Sequence, residues 1–249
     1  SMIDVKEELI KLKDDKYQAF SLKLTPARST DILGVRTPDL KALAARIALD
    51  KAEAMNYLNQ GLKEPSYLEE VTLYGLIISK MPFSFEEFIY YLEIFIKKID
   101  NWATNDMVAS SVKQVDKYYK EMWEYMMNSF NKVKSNKLIE EQLEIYRVRF
   151  YFVIMLNYYV KRENEYILKM LDIIKNTNTN EYYIKMAIAW LLQVIMVKDF
   201  EIGYNFLKNN PLDDFIYRKT ISKVLDSYRI PLELKAKVRT LRNKWKRIK

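Results

Sequence analysis

Apolar side chains recur along this chain at intervals of three and four residues, the spacing of one face of an α-helix. Residues 3–24 show the pattern first, and Pro26 is expected to end that helix because proline disfavours the helical conformation in the residue before it. Similar segments follow down to a final one at residues 231–247. No segment competes as a strand pattern. The sequence therefore predicts an all-α protein of about twelve to fourteen helices.

Helix starts can be read from capping residues. Three are expected, an N-cap with proline in the first turn and two capping boxes, at Thr37–Pro38, Ser66 with Glu69, and Ser84 with Glu87. Connections between the predicted helices are short, which favours stacked helix pairs over a single bundle with long crossovers. We predict one α-solenoid domain of HEAT-like repeats over residues 1–249, whose concave surface suits an elongated partner.

Composition excludes several kinds of chemistry. The 249 residues include no cysteine and no histidine, so disulfides, thiolate catalysis and histidine-based triads are impossible. A zinc site would need carboxylates alone, which is uncommon. We therefore expect neither a metal nor a cofactor.

Positive charge is concentrated at one end of the chain. Residues 235–249 contain eight lysines and arginines and no acid, and the preceding residues are formally neutral. This segment has two open interpretations, an electrostatic contact for an anionic polymer or a solvated terminal helix whose cations complement the helix dipole.

Membrane association is not expected. The chain has no run of 18 apolar residues, and its first residues lack the apolar core of a signal peptide. A cytoplasmic protein, and a monomer, is the expectation.

Four residues are candidates for a functional site. Trp102 and Asp106 are four residues apart, so they share a face of a helix. Arg149 follows 43 residues after Asp106, and Trp190 follows 41 residues after Arg149. Helix pairs repeating about every 40 residues would place all four in one cluster. The alternatives are core tryptophans, a local cap or pair for Asp106, and an ion pair of Arg149 with Glu144 or Asp106.

Three places in the sequence, the last of them a pair of helices, resemble the AlkD-like DNA alkylation repair family, the HEAT-like-repeat DNA glycosylases. The matching stretches are Leu33–Pro38 (LGVRTP), Asn101–Asp106 (NWATND), and the helices that carry Arg149 and Met186–Trp190 (MAIAW). Their order and approximate spacing match the family to about residue 230.

The resemblance implies excision of N3- and N7-alkylated purines from duplex DNA, with a concave, basic DNA-binding face on the α-solenoid. Asp106 would supply the catalytic carboxylate, and Trp102 and Trp190 would pack on the sugar and its backbone. Arg149 would hold the neighbouring phosphate, with Arg147 as the alternative. Further DNA-binding residues are expected at Arg36, Arg218 and Lys219. Two other functions stay open, a relative that binds distorted or branched DNA without excision and a protein-binding HEAT scaffold.

Overall fold

The computed structural model describes residues 2–26, 28–132 and 137–248, with side chains up to residue 244. These residues form fifteen helices: α1 Val5–Lys11, α2 Asp15–Leu24, α3 Thr37–Leu49, α4 Lys51–Gln60, α5 Leu68–Ile78, α6 Phe85–Ile96, α7 Trp102–Ala109, α8 Gln114–Lys117, α9 Tyr119–Lys132, α10 Gln142–Tyr158, α11 Asn164–Lys175, α12 Tyr182–Lys198, α13 Phe200–Asn209, α14 Asp214–Asp226 and α15 Leu232–Ile248. The two strands, β1 Leu138–Ile139 and β2 Asn178–Thr179, form one short parallel pair. The all-α prediction is confirmed.

The single helix expected over residues 3–24 is wrong, because the chain breaks into α1 and α2. The Asp14 carboxylate accepts a hydrogen bond of 2.9 Å from the amide of Tyr17 and so caps a new helix. The amide of Asp14 donates to the carbonyl of Gly34, and Lys13 forms an isolated antiparallel bridge with Val35. Backbone groups that would have continued the first helix are therefore used by a distant loop.

The capping box at Ser84 and Glu87 is confirmed by reciprocal hydrogen bonds of 3.2 and 3.0 Å. The capping box expected at Ser66 and Glu69, before α5, is wrong by one residue. There the Glu70 carboxylate accepts from the amides of Ser66 and Tyr67, at 2.7 and 2.9 Å. The glutamate before it is consequently available for another role.

That glutamate, Glu69, is buried and holds the loop that precedes α3. Its carboxylate accepts hydrogen bonds of 2.9–3.1 Å from the amides of Leu33, Gly34 and Val35. Gly34 adopts a positive φ of 88°, and a Cβ atom there would lie 2.5 Å from the backbone nitrogen of Gln18. The loop needs glycine both for its conformation and for its close approach to α2.

The described chain divides into two compact units, residues 1–122 and residues 123–249, called here the first and the second unit. Each has its own apolar interior. Fully buried side chains include Leu9, Leu73, Ile77, Phe88 and Phe95 in the first unit and Phe150, Phe152, Ile188, Leu192 and Val224 in the second. The single domain expected over residues 1–249 stays a prediction.

Neighbouring helices of the second unit follow a regular offset in sequence. Leu138 of β1 pairs with Asn178 of β2, and Ile139 pairs with Thr179, an offset of 40 residues. The helices that follow, α10 and α12, begin at residues 142 and 182 and pack against each other. The expected period of about 40 residues therefore holds for this pair of helices.

The offset shortens between α12 and α14. The ring centroids of Tyr182 and Phe215 are 5.7 Å apart, an offset of 33 residues. Further along, the Gln193 side-chain amide donates to the Ser227 hydroxyl at 3.3 Å, an offset of 34. Both contacts advance together, so α12 and α14 run in the same direction, with residue n of α12 beside residue n + 33 or n + 34.

Candidate functional site

Trp102 and Asp106 lie on the less buried side of α7, as their spacing predicts. Trp102 is the first residue of the helix, and both side chains are half-buried. The fully buried positions of this helix, Thr104, Asn105, Val108 and Ala109, form its other side. The pair thus combines a carboxylate and an indole on one partly accessible helix face.

The start of α7 is held by side-chain hydrogen bonds. The Asn101 side chain caps the helix by accepting from the amide of Thr104 at 2.8 Å, and its amide group donates to the Thr104 hydroxyl at 3.0 Å. The Thr104 hydroxyl also lies 2.7 Å from that of Thr72 on α5. These bonds fix the first turn of α7, and with it Trp102, against α5.

Asp100, which precedes this cap, is a buried carboxylate that sequence reasoning missed. It accepts hydrogen bonds of 2.8–3.0 Å from the amide and hydroxyl groups of both Ser29 and Thr30, and one of 2.8 Å from Asn101. Burial raises the pKa of Asp100, but the hydrogen bonds from Asn101, Thr30 and Ser29 outweigh it and lower the pKa overall. The network ties the loop after α2 to the start of α7.

Replacing Asp100 by asparagine is expected to lower the free energy of unfolding by about 3 kcal/mol at pH 7, because charge-assisted hydrogen bonds are lost and an amide group faces other donors. The folded-state pKa of Asp100 lies below its ordinary value of 3.8. The carboxylate therefore stabilises the fold above that pH, and its contribution is lost as the pH falls further. Urea unfolding at pH 7 and pH 3 should show a smaller difference between the two proteins at pH 3. An equal difference at both pH values would exclude the charge as its cause.

Trp102 is also attached to α2. Its indole N–H donates a hydrogen bond of 2.9 Å to the carbonyl of Leu24, the last residue of that helix. No residue of α2 is buried, and its Phe20 and Leu24 side chains are exposed. The indole is thereby fixed at its nitrogen while part of its ring surface stays accessible.

Arg147 and Arg149 project from different sides of α10, because two residues correspond to a rotation of about 200°. Arg149 is buried, donates to the carbonyl of Tyr183 on α12, and places its guanidinium carbon 5.9 Å from the centroid of the Tyr183 ring. Arg147 is half-buried and donates to the Tyr151 hydroxyl of its own helix at 3.1 Å. Arg149 is therefore the arginine directed towards the helix that carries Trp190.

Trp190 lies on a half-buried stripe of α12. The stripe, at helical spacing, comprises Tyr183, Met186, Trp190, Gln193, Val194 and Val197. Arg149 precedes Trp190 by 41 residues, within one residue of the offset of 40 between α10 and α12. The backbones of the two residues thus lie at nearly the same level, while the Arg149 guanidinium extends to Tyr183, about two turns before Trp190.

The other predicted DNA-binding residues are on partly exposed surfaces. Arg36 and Arg218 are exposed and form ion pairs of 3.0 Å with Asp14 and Asp214. Lys219 is half-buried, and its ammonium group lies 5.8 Å from the centroid of the Phe215 ring, one turn earlier on α14. Exposed ion pairs are weak, so Arg36 and Arg218 can exchange their carboxylates for a phosphate at small cost.

The candidate residues are divided between the two units. Trp102, Asp106 and Arg36 belong to the first unit, and Arg147, Arg149, Trp190, Arg218 and Lys219 belong to the second. That Trp102, Asp106, Arg149 and Trp190 form one cluster stays a prediction. In the described part of the chain, no three carboxylates come together as metal ligands and no helix is long and apolar enough to cross a membrane.

Packed helix pairs such as α10 and α12, offset by 40 residues in sequence, define an all-α helical-repeat protein. The sequence model of a family described as "DNA alkylation repair enzyme" matches residues 5–224. The chain belongs to this DNA alkylation repair enzyme family.

A solved structure supports the assignment of the fold. It is described as "Predicted DNA alkylation repair enzyme from Enterococcus faecalis", and it superimposes with a TM-score of 0.60 at 14% sequence identity. The similarity covers 86% of this chain and 98% of the other. A search of curated proteins gives no match.

Proposed function

We propose that this protein is a monofunctional DNA glycosylase that excises cationic N3- and N7-alkylated purines from duplex DNA in base-excision repair. The observation that carries the proposal is the position of Asp106. Its carboxylate lies one turn from Trp102 on the half-buried face of α7, a short helix whose start is fixed by Asn101 and Asp100. A negative charge one helical turn from an indole suits a substrate that becomes positively charged.

The chemistry needs no general acid. An alkylated purine already carries a positive charge, so it takes both electrons of the N-glycosidic bond and leaves as a neutral base. Positive charge then develops on the deoxyribose, as in glycoside hydrolysis. The Asp106 carboxylate stabilises that charge and orients the water whose oxygen bonds to the anomeric carbon, and the proton passes to solvent. This accounts for catalysis by a chain without histidine.

The other three residues have roles in positioning. The ring faces of Trp102 and Trp190 pack on the sugar and its backbone and favour its developing positive charge. Arg149 donates one N–H to the Tyr183 carbonyl, and its guanidinium group would hold the neighbouring phosphate. A guanidinium anchored in this way loses little side-chain freedom on binding DNA.

A duplex with a single 7-methylguanine tests the proposal. We expect chromatography to detect free 7-methylguanine after incubation with the protein, and no free guanine from the matched undamaged duplex. The backbone should stay intact until alkali cleaves it at the abasic site. If the protein binds the damaged duplex and releases no base, it is instead a non-excising HEAT-repeat protein that binds distorted or branched DNA.

The basic C-terminal segment is a packed helix along its described part. Val238 and Leu241 of α15 are buried, and Lys237 forms an ion pair of 3.1 Å with Glu201 of α13. Arg239 and Lys244 are exposed. Its exposed cations suit either a DNA contact or a solvated terminal helix, so both interpretations of its charge stay open.

A further inference from the structure

One cationic side chain of the second unit, Lys223, lies beside the predicted site without having been assigned to it. Phe215, Lys219 and Lys223 follow one another at intervals of four residues on one face of α14. The ring of Phe215 packs on Tyr182 of α12, so this face of α14 is the one next to α12.

The offset between the two helices gives the level of Lys223. Residues 33 apart are neighbours at Tyr182 and Phe215, and residues 34 apart are neighbours at Gln193 and Ser227. Trp190 lies between these two contacts, and Lys223 follows it by 33 residues. The backbones of Arg149, Trp190 and Lys223 therefore lie at the same level, to within about one residue, on three neighbouring helices, α10, α12 and α14.

The surroundings of Lys223 are positively charged. Burial lowers the pKa of its ammonium group, and the nearby charges of Lys219 and Arg149 lower it further, while Asp226 acts in the opposite direction. Within the described residues, no carboxylate lies within ion-pair distance of Lys223. The two acids at the start of α14 are already in ion pairs, Asp213 with Lys185 and Asp214 with Arg218.

We propose that Lys223 is a phosphate-binding residue that holds an internucleotide phosphate of DNA next to Trp190. It would extend the contact made by Arg149 onto a third helix, and Lys219 would approach the same backbone one turn earlier on α14. An anion placed there offsets the repulsion among the three cations. Because these side chains are partly or wholly buried, that attraction is less screened by salt than at a fully exposed lysine. The inference rests on the proposed function only in requiring that the protein binds DNA.

Binding of an undamaged duplex by the full chain tests this inference independently of excision. The dissociation constant is measured from 50 to 300 mM salt for the wild type, Lys223→Gln, Lys223→Arg and Lys175→Gln. Lys175 is exposed on α11, so its substitution makes the same charge change on another helix. Removing one phosphate contact should reduce the slope of log affinity against log salt by about 0.9. We expect that reduction for Lys223→Gln alone, with Lys223→Arg retaining the wild-type slope.

Thermal melting of each variant establishes that the fold is intact. An unchanged slope for Lys223→Gln, an equal reduction for Lys175→Gln, or no duplex binding by the wild type would overturn the inference. The outcome is separate from that of the base-release assay. If the slope falls and no 7-methylguanine is released, Lys223 still binds phosphate and only the glycosylase proposal fails. If base is released and the slope is unchanged, only the role of Lys223 fails.

Discussion

Asp106→Asn is expected to lose most base excision while keeping the fold and its affinity for DNA. Asparagine has the size of aspartate and much of its hydrogen bonding but lacks the negative charge. DNA in the ground state is a polyanion, so loss of a carboxylate does not weaken binding. The transition state carries positive charge on the sugar, where the lost charge should cost about 3–4 kcal/mol, by analogy with an oxyanion-hole donor. An effect confined to the chemical step is the signature of differential transition-state stabilisation.

Single-turnover release of 7-methylguanine measures the effect, and a loss of roughly 100- to 1,000-fold corresponds to that free energy. Asp39→Asn is the matched control, because Asp39 is an exposed aspartate on α3 in the same unit. Thermal melting and duplex binding of both variants should equal those of the wild type. Excision by Asp106→Asn at a rate near that of the wild type would remove Asp106 from the role of catalytic carboxylate.

Gly34→Ala is expected to destabilise the fold by roughly 4 kcal/mol or more, a magnitude associated with strain and overpacking acting together. The added Cβ would lie 2.5 Å from the backbone nitrogen of Gln18 and 2.6 Å from the carbonyl oxygen of Asp14. Neither backbone atom can move without displacing the start of α2. The loop cannot retreat either, because the Glu69 carboxylate holds its amides.

Gly61→Ala provides the matched comparison for this effect. Gly61 has a similar positive φ of 73°, but a Cβ atom added there meets nothing within 4 Å. Its substitution should cost only the left-handed conformation, about 1–2 kcal/mol. Urea unfolding of both variants separates the two contributions. Equal losses of stability would show that the close approach of Gly34 to α2 carries no energetic weight.

Local features of the fold followed from the sequence because they depend on neighbouring residues. The helical period places Trp102 and Asp106 on one face whatever the rest of the chain does, and α7 has that arrangement. The reciprocal hydrogen bonds of Ser84 and Glu87 are likewise made within one turn. Membership of the DNA alkylation repair enzyme family was also evident from short motifs.

Contacts between residues far apart in the sequence determine the features that sequence analysis missed or assigned wrongly. The expected first helix ends because the amide of Asp14 donates to Gly34 and Lys13 forms a bridge with Val35, in both cases about 20 residues away. Asp100 finds Ser29 and Thr30 at a separation of about 70 residues. Such pairs cannot be predicted from the spacing of residues in the sequence, because each group could bond to many others until the helices pack.

The two arginines of α10 show most clearly which features depend on local sequence and which depend on tertiary packing. The sequence by itself determined that Arg147 and Arg149 leave the helix in nearly opposite directions, since that follows from 3.6 residues per turn. It did not determine which direction faces the helix of Trp190. Only the tertiary structure decided this, by placing α12 against the side of Arg149 and α14 beyond it, with Lys223 at the level of Trp190. The physical reason is that a helix specifies the angles among its own side chains, whereas its neighbours are chosen by burial of the whole apolar surface.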